Sequence, residues 1–146
     1  MALFQISNDK ITIQVDSMGA ELKSFKEVAS NREYPVDQVR SHGLAKDMEF
    51  KLKSQVAHEI WFVLESDEDT LAKYPYPFVL ELGYELAGDS VIVKWRVRNP
   101  SKETMYFFVD GKEQSLEPDE IFAADDRMSV SEENMHAYLT SGECRS

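Results

Sequence analysis

Apolar and polar residues alternate along most of this chain. Ile11, Ile13 and Val15 are interleaved with Thr12, Gln14 and Asp16, and Met48, Phe50 and Leu52 with Glu49, Lys51 and Lys53. Phe78, Leu80, Leu82, Tyr84 and Leu86 share one face opposite Glu81 and Glu85; Val91, Val93, Trp95 and Val97 share another opposite Lys94, Arg96 and Arg98. A period of two puts one face of a strand in a core and the other in water, the habit of antiparallel sheets. Residues 58–66 are apolar on both faces at their centre (Ile60, Trp61, Phe62, Val63, Leu64), which predicts a central strand.

Turn residues separate these runs. Asn8-Asp9 parts the first two strands, and Gly88-Asp89 joins the two longest as a hairpin. Residues 67–73 begin with three acidic side chains and end with Lys73, the charge order that suits a helix dipole. Tyr74-Pro75-Tyr76-Pro77 stops that helix, because proline has no N–H to donate and restrains the residue before it. Many short strands with one helical piece predict an all-β protein, an antiparallel β-sandwich over residues 1–128. Residues 129–146 lose the period; they read as a short helix over Ser131–Leu139 or a flexible tail.

Composition narrows the function. A single domain of 146 residues with net charge −11 repels phosphate backbones and anionic bilayers, so neither nucleic acid nor membrane is an expected partner. No apolar run is long enough to span a bilayer, and the N-terminal residues lack the basic and apolar regions of a signal peptide. Cys144 is the only cysteine, which excludes an internal disulfide and fits the cytoplasm. Three scattered histidines without ligand spacing predict no metal site, and no glycine-rich phosphate loop or dinucleotide fingerprint predicts a cofactor.

The richest motif is Ser41-His42-Gly43-Leu44-Ala45-Lys46-Asp47-Met48-Glu49-Phe50, a histidine on a glycine turn followed by a basic-acidic pair. Read alone, His42 is either a ligand-facing imidazole or a solvated loop residue. Downstream come Tyr74-Pro75-Tyr76-Pro77-Phe78, Leu82-Gly83-Tyr84-Glu85-Leu86, Lys94-Trp95-Arg96-Val97-Arg98-Asn99 and Met105-Tyr106-Phe107. This series resembles the aldose 1-epimerase (galactose mutarotase-like) family, whose members carry a His-Gly-Phe-Ala-Arg-Asp stretch at the matching place. The resemblance is close over Leu3–Glu27 and His42–Phe107 and weaker over Lys112–Arg127. It implies a shortened galactose mutarotase-like supersandwich and a small-molecule sugar as ligand, with no cofactor.

In that chemistry a base takes the proton of the anomeric hydroxyl while an acid protonates the ring oxygen; the ring opens, turns and recloses. The resemblance implies sugar binding by His42, Lys46 and Asp47, with Lys46 in place of the family's arginine. Lys112 stands where the family's acid histidine falls; a lysine donates a hydrogen bond but is poorly matched to shuttling protons at neutral pH. Glu117, in Leu116-Glu117-Pro118, is the candidate base. The same residues also fit the family's last strand, whose Leu-x-Pro-Gly-Glu-x-Phe pattern is purely structural. The segment carrying a substrate-binding arginine, between Tyr34 and His42 in the family, has no counterpart here. Two functions follow: an aldose 1-epimerase-like isomerase of hexoses such as galactose or glucose, or a non-catalytic sandwich, fragmentary or engineered, that binds carbohydrate weakly or serves as a scaffold. Trp61 and Trp95 could stack on a pyranose, but both lie within apolar strands, so core packing is expected.

The missing segments would leave strands unpaired at an edge, which invites association. Lys94, Arg96 and Arg98 are read as guarding one edge. Met105–Val109 has no such guard, so a homodimer is expected through that strand, strengthened by salt because of the net charge.

Overall fold

Antiparallel hairpins lay the foundation of the computed structural model, which describes residues 2–36, 45, 47–109, 112–130, 138–139 and 143–145. Strands β1 (Leu3–Ser7), β2 (Ile11–Asp16) and β3 (Glu21–Glu27) form a three-stranded antiparallel sheet in chain order. The first turn is fixed by Asn8, whose side-chain oxygen accepts from the N–H groups of Lys10 and Ile11, both at 2.8 Å. Strands β4 (Lys51–Val56), β5 (Glu59–Glu65), β6 (Val79–Ala87), β7 (Ser90–Arg98) and β10 (Ile121–Ser129) build the large antiparallel sheet, in the order β10-β7-β6-β5-β4. The pieces β11 (Tyr138–Leu139) and β12 (Glu143–Arg145) pair with β10. A separate two-stranded ribbon comprises β8 (Met105–Val109) and β9 (Lys112–Leu116).

The expected antiparallel β-sandwich is borne out. The small sheet lies against the inner face of the large one: Phe4 and Phe62 meet edge to face at 5.4 Å, and the Tyr84 hydroxyl donates to the Ala20 carbonyl at 2.5 Å. Between them Ile11, Ile13, Phe25, Phe62, Leu82, Tyr84, Val91 and Val93 are fully buried. The ribbon joins the same core through Met105 and Leu116, and Phe107 meets Phe122 at 5.4 Å. Asn99, also fully buried, ties the ribbon down: its amide donates to the carbonyls of Glu103 (2.7 Å) and Leu116 (2.8 Å), and its oxygen accepts from Ser101.

The expected hairpin at Gly88-Asp89 forms, with Ala87 opposite Ser90 and Gly88 at φ +61°. The expected helix is α1 (Glu68–Lys73), started by a reciprocal cap in which Asp67 accepts from the Thr70 N–H and the Thr70 hydroxyl accepts from the Asp67 N–H, each at 2.8 Å. Asp67→Ala removes that cap and is expected to cost about 1 kcal/mol; a urea melt unchanged within a few tenths of a kcal/mol would show that the cap is not limiting.

Several expectations are corrected. β7 is not an edge: β6 and β10 flank it on both sides, so Lys94, Arg96 and Arg98 guard nothing, and Lys94 and Arg96 instead pair across the outer face. The strand expected through Met48–Leu52 begins only at Lys51, and β4 is exposed along its length, with Leu52 on the surface. Phe50 is buried, but in a loop that precedes the strand. β5 is interior rather than central, and Trp61 lies on the outer face, not in the core. Trp95 is buried as expected. Of the helix expected over Ser131–Leu139, residues 131–137 lie outside the described residues, and Tyr138–Leu139 are a strand.

Candidate functional site

The tail of the His-Gly motif is fixed onto the turn between β2 and β3. Ser17, Met18, Gly19 and Ala20 make that turn, with Gly19 at φ +74° and Ala20 at φ +49°. A left-handed alanine is strained, and here the surroundings hold it: Ala20 is fully buried and its carbonyl accepts from Tyr84. The Gly19 N–H donates to the Met48 carbonyl (2.6 Å) and the Phe50 N–H to the Ser17 carbonyl (2.9 Å). The Ser17 hydroxyl donates to the Glu49 carboxylate at 2.5 Å, a bond that holds the Glu49 carboxyl below the usual carboxylate range. Tyr84, on the large sheet, thus props the small-sheet turn on which Met48, Glu49 and Phe50 rest.

Asp47 sits on this docked segment, exposed to solvent. His42 and Lys46 lie outside the described residues. Lys112 is exposed at the start of β9. Glu117 directly follows the other end of that strand, so the strand rise puts their Cα atoms roughly 16 Å apart. Glu117 is exposed and belongs to a tight turn: its N–H donates to Glu120 Oε1 (2.6 Å), its carbonyl accepts from the Glu120 N–H (3.0 Å), and Thr104 Oγ1 lies 3.2 Å from its carboxylate. Asp119, at φ +67°, takes the backbone conformation for which glycine is ordinarily used. The turn therefore has the geometry that the structural pattern Leu-x-Pro-Gly-Glu requires.

The large sheet's outer face carries a second collection of polar groups. Lys94 pairs with Glu85 at 2.7 Å and Glu59 at 3.6 Å, Lys53 with Glu81 at 2.8 Å, and Arg96 with Asp125 at 2.9 Å. Partial burial works against a charged Lys94, but the bond to Glu85 and the charges of Glu85, Glu59 and Asp125 outweigh it and raise its pKa. In the midst of these pairs lies Trp61, half-buried, its Nε1 donating to Glu59 at 2.8 Å. The sequence held a signal for this: Gly83, directly opposite Trp61, is an isolated glycine within a strand, which marks close approach of another group. The Ser17–Glu49 and Tyr84–Ala20 contacts had no such signal, since each joins segments remote in sequence.

Among the described residues no group of three or more His, Cys, Asp or Glu side chains is placed to hold a metal ion, and no helix is long and apolar enough to cross a membrane.

The sequence pattern of aldose 1-epimerase matches residues 28–110. Among solved structures, a galactose mutarotase related enzyme from Lactobacillus acidophilus superposes with a TM-score of 0.67 at 18% identity, over 92% of this chain and 52% of its own. A galactose mutarotase-like protein from Lactobacillus casei gives 0.65 at 21% identity, over 87% of this chain and 50% of its own. At these identities the likeness is one of fold, and the chain spans about half the length of the structures it matches. No curated protein matches the sequence.

Proposed function

The chain belongs to the aldose 1-epimerase family, and from that premise we propose that it recognises an aldohexose in its pyranose form and interconverts the α and β anomers. The observation that supports this most is the anchoring of Met48, Glu49 and Phe50 on the Ser17–Ala20 turn, inside the span that matches the family. In the proposal His42, Lys46 and Asp47 hold the sugar hydroxyls, Lys112 donates to a sugar oxygen, and Glu117 takes the anomeric proton. No cofactor is required, because both steps are proton transfers. The setting proposed is the cytoplasm, where a chain with one cysteine needs no disulfide.

Polarimetry tests the activity. Fresh α-D-galactose or α-D-glucose should reach equilibrium rotation faster with the protein than in buffer, and a rate equal to buffer would reject turnover. Glu117→Gln is expected to lower the rate about 10²-fold or more if Glu117 is the base; an unchanged rate would remove it from that role.

A second reading, sugar binding without turnover, has its own support: Glu117 is engaged in a turn and lies at the opposite end of β9 from Lys112. Chemical-shift mapping with galactose separates the two, since binding would shift residues 45–50 even where the rotation rate stays at the buffer value. The proposal also includes association of two copies along β8, which among the described residues pairs only with β9 and exposes Phe108 at 72%. Sedimentation that stays monomeric at high protein concentration and moderate salt would overturn that part.

A further inference from the structure

We propose that Ser17 is a positioning residue for sugar binding: through Glu49 and the backbone on either side of it, Ser17 fixes the short turn from which Asp47 presents its carboxylate. The inference rests on the carbohydrate reading above, in which Asp47 holds a sugar hydroxyl, and names a residue remote in sequence on which that contact depends.

Ser17 is buried, and each of its polar groups is engaged. Its N–H donates to the Ala2 carbonyl at 2.8 Å, and its hydroxyl oxygen accepts from the Ala2 N–H at 2.9 Å, a reciprocal pair that ties the turn to the start of β1. A hydroxyl has one hydrogen to give. Here it goes to Glu49 Oε2 at 2.5 Å, a bond to a charged acceptor and so stronger than a neutral one. The Ser17 carbonyl accepts from the Phe50 N–H at 2.9 Å, so one residue grips the side chain of Glu49 and the backbone that follows it. The same turn takes hold on the other side as well. The Gly19 N–H donates to the Met48 carbonyl at 2.6 Å, and Met18 and Glu49 form an isolated antiparallel bridge. Three consecutive residues after Asp47 are thus held from one turn.

On the N-terminal side of Asp47, Ala45 is buried and its carbonyl accepts from the Met48 N–H at 3.1 Å, which closes a tight turn around Asp47. Asp47 therefore stands between a buried residue and a clamped one, with its own side chain in solvent. A carboxylate on a backbone already fixed has less ordering to undergo when it accepts from a sugar hydroxyl than one on a free loop. Glu49 is the nearest carboxylate in sequence, but its role is different. The Ser17 bond is the largest of the causes that hold its carboxyl below the usual range, so at neutral pH Glu49 stays ionised, a weak base and a constant acceptor for Ser17. Glu49 anchors, and Asp47 is left to meet the ligand.

A double-mutant cycle on the full chain tests the assignment, read by ¹⁵N chemical-shift titration with D-galactose and by polarimetry on fresh α-D-galactose. Ser17→Ala should raise Kd, and KM with it, about tenfold while kcat keeps its wild-type value, because a looser Asp47 weakens ground state and transition state alike. A merely structural role would lower the folded fraction, and so the signal and kcat, and leave Kd and KM unmoved. In an Asp47→Ala background, Ser17→Ala should weaken binding no further. Glu49→Gln keeps an acceptor for the Ser17 hydroxyl and should retain most of the affinity, whereas Glu49→Ala should behave as Ser17→Ala does. Glu49 is exposed, so its variants carry the test even if Ser17→Ala melts early. Wild-type affinity in both Ser17→Ala and Glu49→Ala would overturn the inference and leave sugar binding at Asp47 standing. Losses that add in the Ser17→Ala, Asp47→Ala pair would overturn it too, because Ser17 would then act elsewhere. A wild-type chain with no shift at Asp47 and rotation at the buffer rate would overturn the carbohydrate reading and this inference with it.

Discussion

Tyr84→Ala is expected to destabilise the chain by about 3–5 kcal/mol, the range of buried aromatic truncations. Against the 5–15 kcal/mol that holds an ordinary domain together, that is a large share. Tyr84 is fully buried at the junction of the two sheets, and its hydroxyl donates to Ala20 in a left-handed turn. Truncation opens a cavity and leaves that buried carbonyl without its donor. Tyr84→Phe isolates the second effect and is expected to cost about 1–2 kcal/mol. The pH dependence has a definite sign. Burial pushes the Tyr84 phenol far above its ordinary value; the Glu21 charge adds to this, while a backbone hydrogen bond at Leu22 works against it. The unfolded phenol ionises near pH ~10 whereas the folded one stays neutral, so its stabilisation is complete below that pH and declines as pH rises through it. Tyr74, half-buried and pushed up to about 12, adds a smaller contribution of the same sign. Urea unfolding at neutral pH and above pH ~10 should show wild type losing stability faster than Tyr84→Phe. Equal slopes would mean that the phenol is hydrated in the folded state. Loss of the prop should also loosen residues 45–50, seen as faster amide exchange at Met48 and Phe50, whose N–H groups are bonded within and beneath that segment.

The alternation that builds the sandwich was legible because a strand with one dry face writes its burial directly into the sequence. β2, β6 and β7 read correctly, as did the Gly88 hairpin and the capped helix, whose signals are all local. Reading failed where the deciding partner was distant. Val63 and Trp61 are apolar on the outer face of β5, and nothing in residues 58–66 tells that face from the inner one; Gly83, on the next strand, does. Charges on β7 were misplaced for a similar reason: whether Lys94 and Arg96 guard an edge or lace an interior strand depends on β10, which joins from far along the chain. For the site, Asp47, Lys112 and Glu117 were identifiable as residues, but their placement was not. The support beneath Asp47 is made by Ser17, Gly19 and Tyr84, distant in sequence and bound largely through backbone groups that leave no mark on residue choice. The turn at Glu117 was readable from Leu116-Glu117-Pro118, except that Asp119 fills the left-handed position in place of glycine.

Gly83→Ala is the second large effect expected, and its sign depends on Trp61. In a strand, replacing glycine by alanine ordinarily stabilises, since it reduces the freedom of the unfolded chain by roughly 0.4–1 kcal/mol. Here the new methyl would lie 2.5 Å from ring carbons of Trp61, inside any real contact distance. The atoms it meets belong to the fused ring system, which moves only as a whole. The indole must lift or swing off β6, breaking its bond to Glu59 and exposing its covered face. Overpacking of this kind costs about 1–3 kcal/mol, so the net change should be destabilising. A double-mutant cycle decides whether Trp61 is the cause. In a Trp61→Ala background the space above Gly83 is vacated, and the same substitution should become neutral or mildly stabilising, giving a coupling of about 1–3 kcal/mol. A destabilisation that persists without the indole would place the strain in the strand backbone and not in the ring above it.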